Sequence, residues 1–375
     1  NHFFSNSASL EVAGRKVAFS QTTRYPWDGD IAIKVNGNAA GRFGMKIRIP
    51  GWVKGQPVPS DLYYYTDGKR LGYTITVNGQ PTDGQLTDDG YFTINRKWKK
   101  GDVVRVHFDM EVRTVRANNK VVADRGQISV ERGPIVYAAE WPDNNFNIMN
   151  VLMNRQPVFT LGTAPYAAFI ADSLKHRLTQ YNDLSIETLT TPAQTLAYTK
   201  NGSLSTQNVS LKLIPYFAWA HRGNGNMKVW LPQDVSAARP AAPATLASMA
   251  KVAFSSRVPA PTSITDGLVP ADENDRSIPY CHWWPKKNST EWVTYTFPEA
   301  KEVKSCTVYW YDDQPWGGCK VPDSWQVYYQ DNNGQWQPVT GADDYPTKKG
   351  AACTVNFNQI KTKAVKLEFK QPEQF

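Results

Sequence analysis

The side chains best suited to bind a ligand in this sequence are acidic and aromatic, and they lie close together in its last third. Asp312 and Asp313 end a predicted strand and enter the loop 314–318, which carries Trp316. An indole ring can stack on the C–H face of a sugar while a neighbouring carboxylate accepts hydrogen bonds from the sugar hydroxyls. We therefore predict that this is a carbohydrate-binding loop with Trp316 as its stacking residue. A solvated turn is the alternative.

Two further tryptophans, Trp283 and Trp284, are adjacent in the sequence. Because successive side chains of a strand point to opposite faces, one of the two must face the core and the other the surface. We take Trp284 as the second candidate for sugar contact. The tryptophans on predicted strands, Trp292, Trp310 and Trp325, are expected to be core residues.

Asp266 is a candidate metal ligand because it precedes Gly267 in a predicted turn. Glu368, near the end of the chain, would be a second carboxylate ligand if the two ends of this domain meet. Calcium takes about six to eight oxygen ligands, several of them backbone carbonyls, so side chains identify only a few of them. We predict a structural calcium ion at Asp266 and Glu368. The alternative is a metal-free Asp-Gly turn.

Catalytic residues are not evident in the sequence. Glycoside hydrolysis requires two carboxyl groups about 5–10 Å apart, and Glu131 and Glu140 are the acidic candidates outside the predicted binding loop. We expect Glu131, which precedes a turn, to pair with an arginine rather than to contact substrate. No histidine, cysteine or glycine pattern has the spacing of a zinc or phosphate site. We therefore predict no catalytic residue; paired carboxylates in one cleft of residues 1–235 are the alternative.

The elements that position these residues are predicted to be β-strands. Residues 8–115 alternate between apolar and polar types almost throughout, and Asn-Gly and Asp-Gly pairs mark hairpin turns at short intervals. No long amphipathic helix occurs, and one short helix is predicted near residues 167–178. The predicted fold class is all-β, with one or two antiparallel β-sandwich units followed by a jelly-roll β-sandwich.

The same patterns divide the chain into four segments. The Ala/Pro-rich stretch has the composition of a linker. We expect the final strand to be cut short by the end of the chain at Phe375. The segments are 1–115, a β-sandwich; 116–235, a second β-rich unit that is either separate or interleaved with the first; 236–250, the linker; and 251–375, the jelly roll. The strands predicted for the jelly roll are Trp292–Phe297, Cys306–Tyr311, Trp325–Tyr329, Thr354–Phe357 and Ala364–Phe369.

Charge and hydropathy exclude two classes of partner. The 375-residue chain has a formal net charge of +8, but its 42 lysines and arginines are scattered. A nucleic-acid-binding surface would cluster them, so we expect no nucleic-acid partner. No run of about 18 apolar residues occurs, so no membrane span is predicted. The chain opens at Asn1 without an initiator Met, and we expect a piece of a secreted, periplasmic or cell-surface protein.

All four cysteines lie in the last third of the chain. Their spacing does not match a zinc site. They are expected either to form one or two disulfides in an oxidising compartment or to remain buried thiols. These residues are Cys281, Cys306, Cys319 and Cys353.

Residues 1–235 carry six short strings that, taken in order, resemble the β-sandwich region of glycoside hydrolase family 127, the β-L-arabinofuranosidase-like enzymes. The resemblance implies an (α/α)6 catalytic barrel upstream of this region, with a metal-associated cysteine cluster that includes the nucleophile. None of those motifs is present here, so no catalytic residue is carried over. The strings are YPWDG at 25–29, RIPGW at 48–52, YFTINRKW at 91–98, ERGPIVY at 131–137, IPYFAW at 214–219, and RG at 222–223 followed by Met227 and Trp230.

The segment from residue 251 resembles a discoidin (F5/8 type C) domain of the carbohydrate-binding-module family 32 type. The resemblance implies a discoidin-like sandwich, a structural calcium near the Asp-Gly turn and sugar binding in the loops at one end. The matching strings are SITDG at 263–267, HWWP at 282–285, EWV at 291–293, YWYDD at 309–313 and PDSWQVY at 322–328.

Together these features predict the non-catalytic C-terminal region of a glycoside hydrolase. The sandwich would support the upstream barrel, and the last domain would bind a plant-type glycan, one that contains arabinose if the resemblance extends to substrate. The alternative is a secreted glycan-binding or adhesion protein with no enzymatic parent.

Overall fold

The regular secondary structure of the described residues is mostly antiparallel β-sheet, which confirms the all-β fold class. It divides into two compact units: unit 1 comprises 1–196 and 206–239, and unit 2 comprises 197–205 and 240–375. No helix in the described part of the chain is long and apolar enough to cross a membrane. The computed structural model describes residues 3–12, 14–37, 41–175, 184–199, 201–223, 225–270, 272, 275 and 278–374.

Ten strands form the first part of unit 1. Their alternating pattern is typical of strands with one buried face, as in β10, where Val104, Val106 and Phe108 are buried while Arg105 and His107 are exposed. The strands are β1 (Asn6–Val12), β2 (Arg15–Thr23), β3 (Asp30–Asn36), β4 (Gly41–Arg48), β5 (Tyr63–Tyr65), β6 (Tyr73–Val77), β7 (Gln80–Pro81), β8 (Gln85–Leu86), β9 (Tyr91–Trp98) and β10 (Val103–Phe108).

Nine of these strands form a β-sandwich. One sheet has the order β1-β2-β3-β10-β6-β7, and the other has the order β4-β9-β8. A single apolar core joins the two sheets: Val35 and Val104 from the first lie in one cluster with Ile47 and Trp98 from the second. The Trp98 indole is fully buried and donates a hydrogen bond to the Phe43 carbonyl at 3.0 Å. This sandwich positions the turns and strand ends at its rim.

The remaining strands of unit 1 join one ten-stranded sheet. Its main path is β14-β16-β17-β13-β12-β11-β5, with β15 on β16, β18 on β13 and β19 on β12. Because β5 comes from the first part of the chain, residues 63–65 contribute to this second sheet. The strands are β11 (Val112–Ala117), β12 (Gln127–Arg132), β13 (Ile135–Glu140), β14 (Val151–Met153), β15 (Thr160–Pro165), β16 (Ser185–Tyr198), β17 (Leu204–Pro215), β18 (Met227–Lys228) and β19 (Leu231–Pro232).

Unit 2 is a five-stranded antiparallel sheet in the order β20-β21-β24-β22-β23. The two longest strands pair with each other along most of their length, with register shifts at Thr296/Lys301 and Val303/Ser305. The predicted strands at 292–297 and 306–311 are therefore parts of one strand, as are those at 354–357 and 364–369. The strands are β20 (Lys251–Phe254), β21 (Thr290–Tyr309), β22 (Ser324–Gln330), β23 (Trp336–Pro338) and β24 (Ala352–Lys370).

Among the described residues, helical structure is confined to single turns. The helix predicted near 167–178 is a 3₁₀ turn followed by one α-helical turn, α1 (Asp172–Lys175), and residues 176–178 lie outside the described residues. The last strand, β24, ends at Lys370, and the expected truncation of this domain stays a prediction. The 3₁₀ turns are Val122–Asp124, Trp141–Asp143, Ile148–Asn150, Tyr166–Phe169, Tyr216–Ala218, Val235–Ala237, Ala247–Met249 and Pro261–Ile264.

Candidate functional site

The loop that follows β21 is organised by the carboxylate of Asp313, which is only 7% exposed. Its Oδ1 accepts a hydrogen bond from the Cys319 main-chain N–H at 2.8 Å, and its own N–H donates to the Cys319 carbonyl at 3.2 Å. The Asp313 carbonyl accepts from the N–H groups of Trp316 and Gly317, both at 2.9 Å. An added Cβ at Gly317 would overlap the Asp313 carboxylate, so glycine is required there. These contacts close the loop around one buried side chain.

Asp312 lies on the outside of the same loop. Its Oδ1 accepts a hydrogen bond from the Gln314 N–H at 2.9 Å, and the Gln314 side-chain amide donates to the Gly317 carbonyl at 2.7 Å. Asp312 is half-buried, in contrast to Asp313. Of the two predicted acidic residues, Asp312 is therefore the more exposed, while Asp313 holds the loop.

Two tryptophans lie at this loop. Trp316 is 83% exposed, the largest exposure among the large hydrophobic residues of the described chain, and Trp284 is 52% exposed. An added Cβ on Gly318 would overlap the Trp284 indole nitrogen, so Trp284 packs directly against the backbone two residues after Trp316. The structure thus brings together all four residues predicted for carbohydrate binding, Trp284, Asp312, Asp313 and Trp316.

Trp283 faces the opposite way from its neighbour Trp284. Its ring packs edge-on against Phe369 at 4.6 Å between centroids, and its Nε1 donates to Ser255 Oγ at 3.1 Å. One tryptophan of the pair is therefore inside and the other is on the surface, although the pair lies in a turn and not on a strand.

Behind the loop lies an aromatic group that the sequence did not indicate as part of the site. The Tyr280 ring lies 4.1 Å from the Tyr311 ring and 5.6 Å from that of His282. Burial lowers the pKa of His282, which keeps its imidazole neutral, although the nearby Asp313 charge opposes this effect. The His282 Nδ1 is buried without a hydrogen-bond partner among the described residues. The string HWWP at 282–285 was the only signal that could have placed His282 here.

The four cysteines are free thiols, as one of the two sequence alternatives allowed. Burial raises the pKa values of Cys281, Cys306 and Cys319 to about 12, so these thiols are protonated and poorly nucleophilic at neutral pH. Cys353 Sγ lies 3.4 Å from the Lys348 carbonyl. These residues act as small core or loop side chains.

The two predicted calcium ligands lie in different environments. Asp266 Oδ1 accepts a hydrogen bond from the Leu268 N–H at 2.9 Å across the turn at Gly267, whose φ is +72°. Glu368 is in the centre of the sheet, on β24, and its carboxylate lies 2.8 Å from Lys366 Nζ. In the part of the chain that the structure describes, no three acidic, histidine or cysteine side chains are grouped as metal ligands. Calcium binding stays a prediction.

A substitution at Asp266 tests how burial of its carboxyl acts on stability when calcium is absent. Burial raises the pKa of Asp266 to about 6 from 3.8, so the folded state loses stability as pH rises from about 4 to 6. In calcium-free buffer at pH 7.5 we expect Asp266→Asn to stabilise the chain by about 1–2 kcal/mol, discounted because the carboxyl is partly exposed, and to have no effect at pH 4. Urea unfolding at both values measures this.

Calcium provides the control for the same experiment. A bound cation would stabilise the ionised carboxylate, so at pH 7.5 added calcium should raise the melting temperature of the wild-type chain more than that of Asp266→Asn. Equal melting temperatures with calcium and with a chelator, in both proteins, would contradict calcium binding at Asp266.

Unit 1 contains a pair of neighbouring carboxylates, but both are buried. Glu140 and Asp143 have side chains that are 2% and 5% exposed, and both contact Arg222 Nη2. Arg222 Nη1 also donates to Asp143 Oδ1 at 3.0 Å, and Lys212 Nζ lies 3.5 Å from Asp143. Because neither carboxylate is accessible to a substrate, this pair does not have the character of a hydrolase centre.

Glu131 was predicted to pair with an arginine, and this prediction was wrong. Its Oε2 accepts a hydrogen bond from the Tyr65 hydroxyl at 2.8 Å. The guanidinium of Arg113 instead lies over the Tyr65 ring at 3.5 Å and donates to Asp67 through Nε at 2.9 Å. Burial raises the pKa of Glu131, and the Tyr65 hydrogen bond and the Arg113 charge oppose that effect. The group joins β5, β11 and β12.

Two models of one protein family match the sequence of unit 1. Residues 1–110 match the sequence model of the β-L-arabinofuranosidase GH127 middle domain, and residues 112–232 match that of the glycoside hydrolase family 127 C-terminal domain. Residues 1–232 belong to glycoside hydrolase family 127. The region that the two family models match ends at residue 232. The discoidin-like assignment of residues 251–375 therefore stays a prediction.

Individual relatives agree with this family. The non-reducing end β-L-arabinofuranosidase of Bifidobacterium longum subsp. longum is 32% identical over 247 residues, which are 61% of this chain and 32% of that protein. The solved structure of a GH127 β-arabinofuranosidase is 49% identical with a TM-score of 0.57, over 65% of this chain and 36% of its own.

A second solved GH127 β-L-arabinofuranosidase, from Geobacillus stearothermophilus T6, is 29% identical with a TM-score of 0.49, over 62% of this chain and 33% of its own. The GH127-like chain thus spans about a third of the length of the relatives it matches.

Proposed function

We propose that this chain is part of a β-L-arabinofuranosidase-type glycoside hydrolase and that its last domain holds glycan close to the active site. The matches to two GH127 domains and to named arabinofuranosidases support a glycoside hydrolase parent. In this proposal the catalytic residues lie outside this chain. They belong to a part of the parent protein that corresponds to the two thirds of the relatives' length that this chain does not cover. The β-sandwich of unit 1 supports that catalytic part, and the protein works outside the cytoplasm, where plant-type glycans are found.

The observation that carries the binding proposal is the exposure of Trp316 on a fixed loop. Asp313 orders the loop before any ligand arrives, so little conformational entropy is lost when a sugar binds. Trp316 offers a ring face for stacking, Trp284 offers a second, and Asp312 supplies a hydrogen-bond acceptor. This combination of flat apolar faces and a carboxylate is suited to a sugar ring with its apolar and hydroxyl-bearing surfaces.

Removal of the exposed indole should weaken glycan binding. We expect Trp316→Ala to raise the Kd for an arabinan oligosaccharide at least about tenfold, because one stacking contact is lost. Isothermal titration calorimetry on the whole chain measures this. The matched control is Tyr64→Ala, which removes an exposed aromatic side chain from β5 and should leave Kd unchanged.

Three results would contradict parts of the proposal. Equal Kd values for Trp316→Ala and the wild-type chain would remove the Trp316 loop as the binding site. Absence of binding to every member of a plant-glycan panel would remove the binding function. Hydrolysis of aryl arabinofuranosides by this chain alone at an enzyme-like rate would place catalysis within these residues.

A further inference from the structure

The rim of the β-sandwich in unit 1 contains a cleft of 660 Å³ between the β6–β7 hairpin, β8 and β9. This volume lies within the range of about 300–1,000 Å³ that is typical of small-molecule sites. The cleft is distinct from the tryptophan loop of unit 2. None of the predicted site residues lines it, and the family matches give it no role.

The cleft exists because β8 is short. This strand pairs only with Phe92 and Thr93 of β9, so β9 has no second neighbour from Ile94 onward among the described strands. The Tyr91 carbonyl accepts from the Thr87 N–H on the β8 side. Because main-chain groups of alternate residues point to the same side of a strand, the N–H and C=O of Asn95 face the cleft.

Half of the side chains that line the cleft are amides and hydroxyls. Six polar lining side chains have no hydrogen-bond partner in the described ranges, and the Thr93 hydroxyl is also shielded from water, whereas the Thr87 hydroxyl donates to the Tyr91 carbonyl at 2.8 Å. Gly44 lies against the Asn95 amide, where an added Cβ would be 2.6 Å from Asn95 Oδ1. The six residues are Gln80, Thr82, Asp83, Gln85, Thr93 and Asn95.

The charges around the cleft indicate which ligand fits. Lys46 Nζ lies 3.3 Å from Asp89 Oδ2, and Arg96 lies 3.8 Å from Asp102 Oδ2, so both cations that line the cleft are already paired. The remaining charge is the carboxylate of Asp83, which repels anions and accepts hydrogen bonds from hydroxyl groups. The cleft therefore favours a neutral ligand with many hydroxyl groups over an acidic one.

We propose that this cleft is a second carbohydrate-binding site, specific for a neutral oligosaccharide. Amides such as Gln85 and Asn95 can both donate to and accept from sugar hydroxyls, and the exposed edge of β9 adds a main-chain donor and acceptor. Val77, Pro81 and Ile94 supply apolar surface for the sugar C–H groups. A chain with two glycan sites would bind a polymer more tightly than either site alone if both engage the same molecule.

The test uses the whole chain with Trp316→Ala, so that the proposed site of unit 2 is silenced. The probes are neutral arabinan, galactan, xylan and glucan oligosaccharides, with an oligogalacturonide of equal length as the acidic comparison. In this background we expect calorimetry to detect binding of at least one neutral probe. Adding Gln85→Ala and Asn95→Ala should then weaken that binding at least about tenfold, since several hydrogen bonds are lost.

The matched control is Gln207→Ala, which removes an exposed strand amide elsewhere in unit 1 and should leave Kd within about twofold of the background value. An unchanged melting temperature for each variant shows that the sandwich remains folded. The proposal is overturned if no neutral probe binds, if the cleft variants bind as the background does, or if the oligogalacturonide binds more tightly. Each of these results leaves the Trp316 proposal untouched, because Trp316 is absent throughout.

Discussion

Replacement of Arg222 by methionine should destabilise unit 1 by about 3–5 kcal/mol. Methionine keeps most of the apolar stem but removes the guanidinium that contacts both Glu140 and Asp143. Among the described residues, Lys212, at 3.5 Å from Asp143, would then be the one cation paired with the two buried carboxylates. The Glu140 carboxylate would keep its hydrogen bond from the Ala220 N–H at 2.8 Å, which does not offset a buried negative charge. Urea unfolding followed by tryptophan fluorescence measures the change.

Two companion variants identify the cause. Arg155→Met breaks the exposed ion pair with Asp234 and should cost less than about 1 kcal/mol, because water screens that pair. Adding Glu140→Gln and Asp143→Asn to Arg222→Met should recover part of the loss, since no unpaired charge then remains buried. If Arg222→Met were no more destabilising than Arg155→Met, the ion-pair cluster would not stabilise the fold as described.

The strands were largely predictable from the sequence because most have one buried face. The exception is instructive: β21 and β24 are long strands, each of which the sequence divided into two shorter ones. The register shift between Thr296 and Lys301 accommodates Pro298 and its neighbours without ending the strand pair. Such an irregularity removes the two-residue period that sequence analysis depends on, while the hydrogen-bonded ladder resumes beyond it.

The candidate site was predictable in composition but not in arrangement. The residue types around Trp316 predict sugar binding, which stays a prediction, and the structure shows that this side chain is exposed. The burial of Asp313 was not predictable, because it depends on hydrogen bonds to Cys319, six residues away across a loop with no periodic pattern. The cleft of unit 1 was missed for a related reason: it is defined by where β8 stops pairing with β9, and no residue type marks that point.

Loss of the Asp313 side chain should disorder the loop that carries Trp316. Asp313→Ala leaves the Cys319 N–H without its acceptor and opens space beside Gly317, at a local cost of about 1–3 kcal/mol. Because Trp316 is then no longer held in place, we expect glycan binding to fall as far as it does in Trp316→Ala. Calorimetry measures binding, and hydrogen exchange of the 316–319 amides measures loop order.

The conservative variant separates positioning from direct sugar contact. Asp313→Asn keeps an oxygen that can accept from the Cys319 N–H, so if Asp313 acts only by holding the loop, this variant should bind glycan within about threefold of wild type. Asp312→Ala should weaken binding while leaving exchange of the loop amides slow, because Asp312 is the more exposed of the two and, among the described residues, accepts from the Gln314 N–H alone. Equal loss of binding in Asp313→Asn and Asp313→Ala, with slow exchange in both, would instead assign the Asp313 carboxylate a direct contact with the sugar.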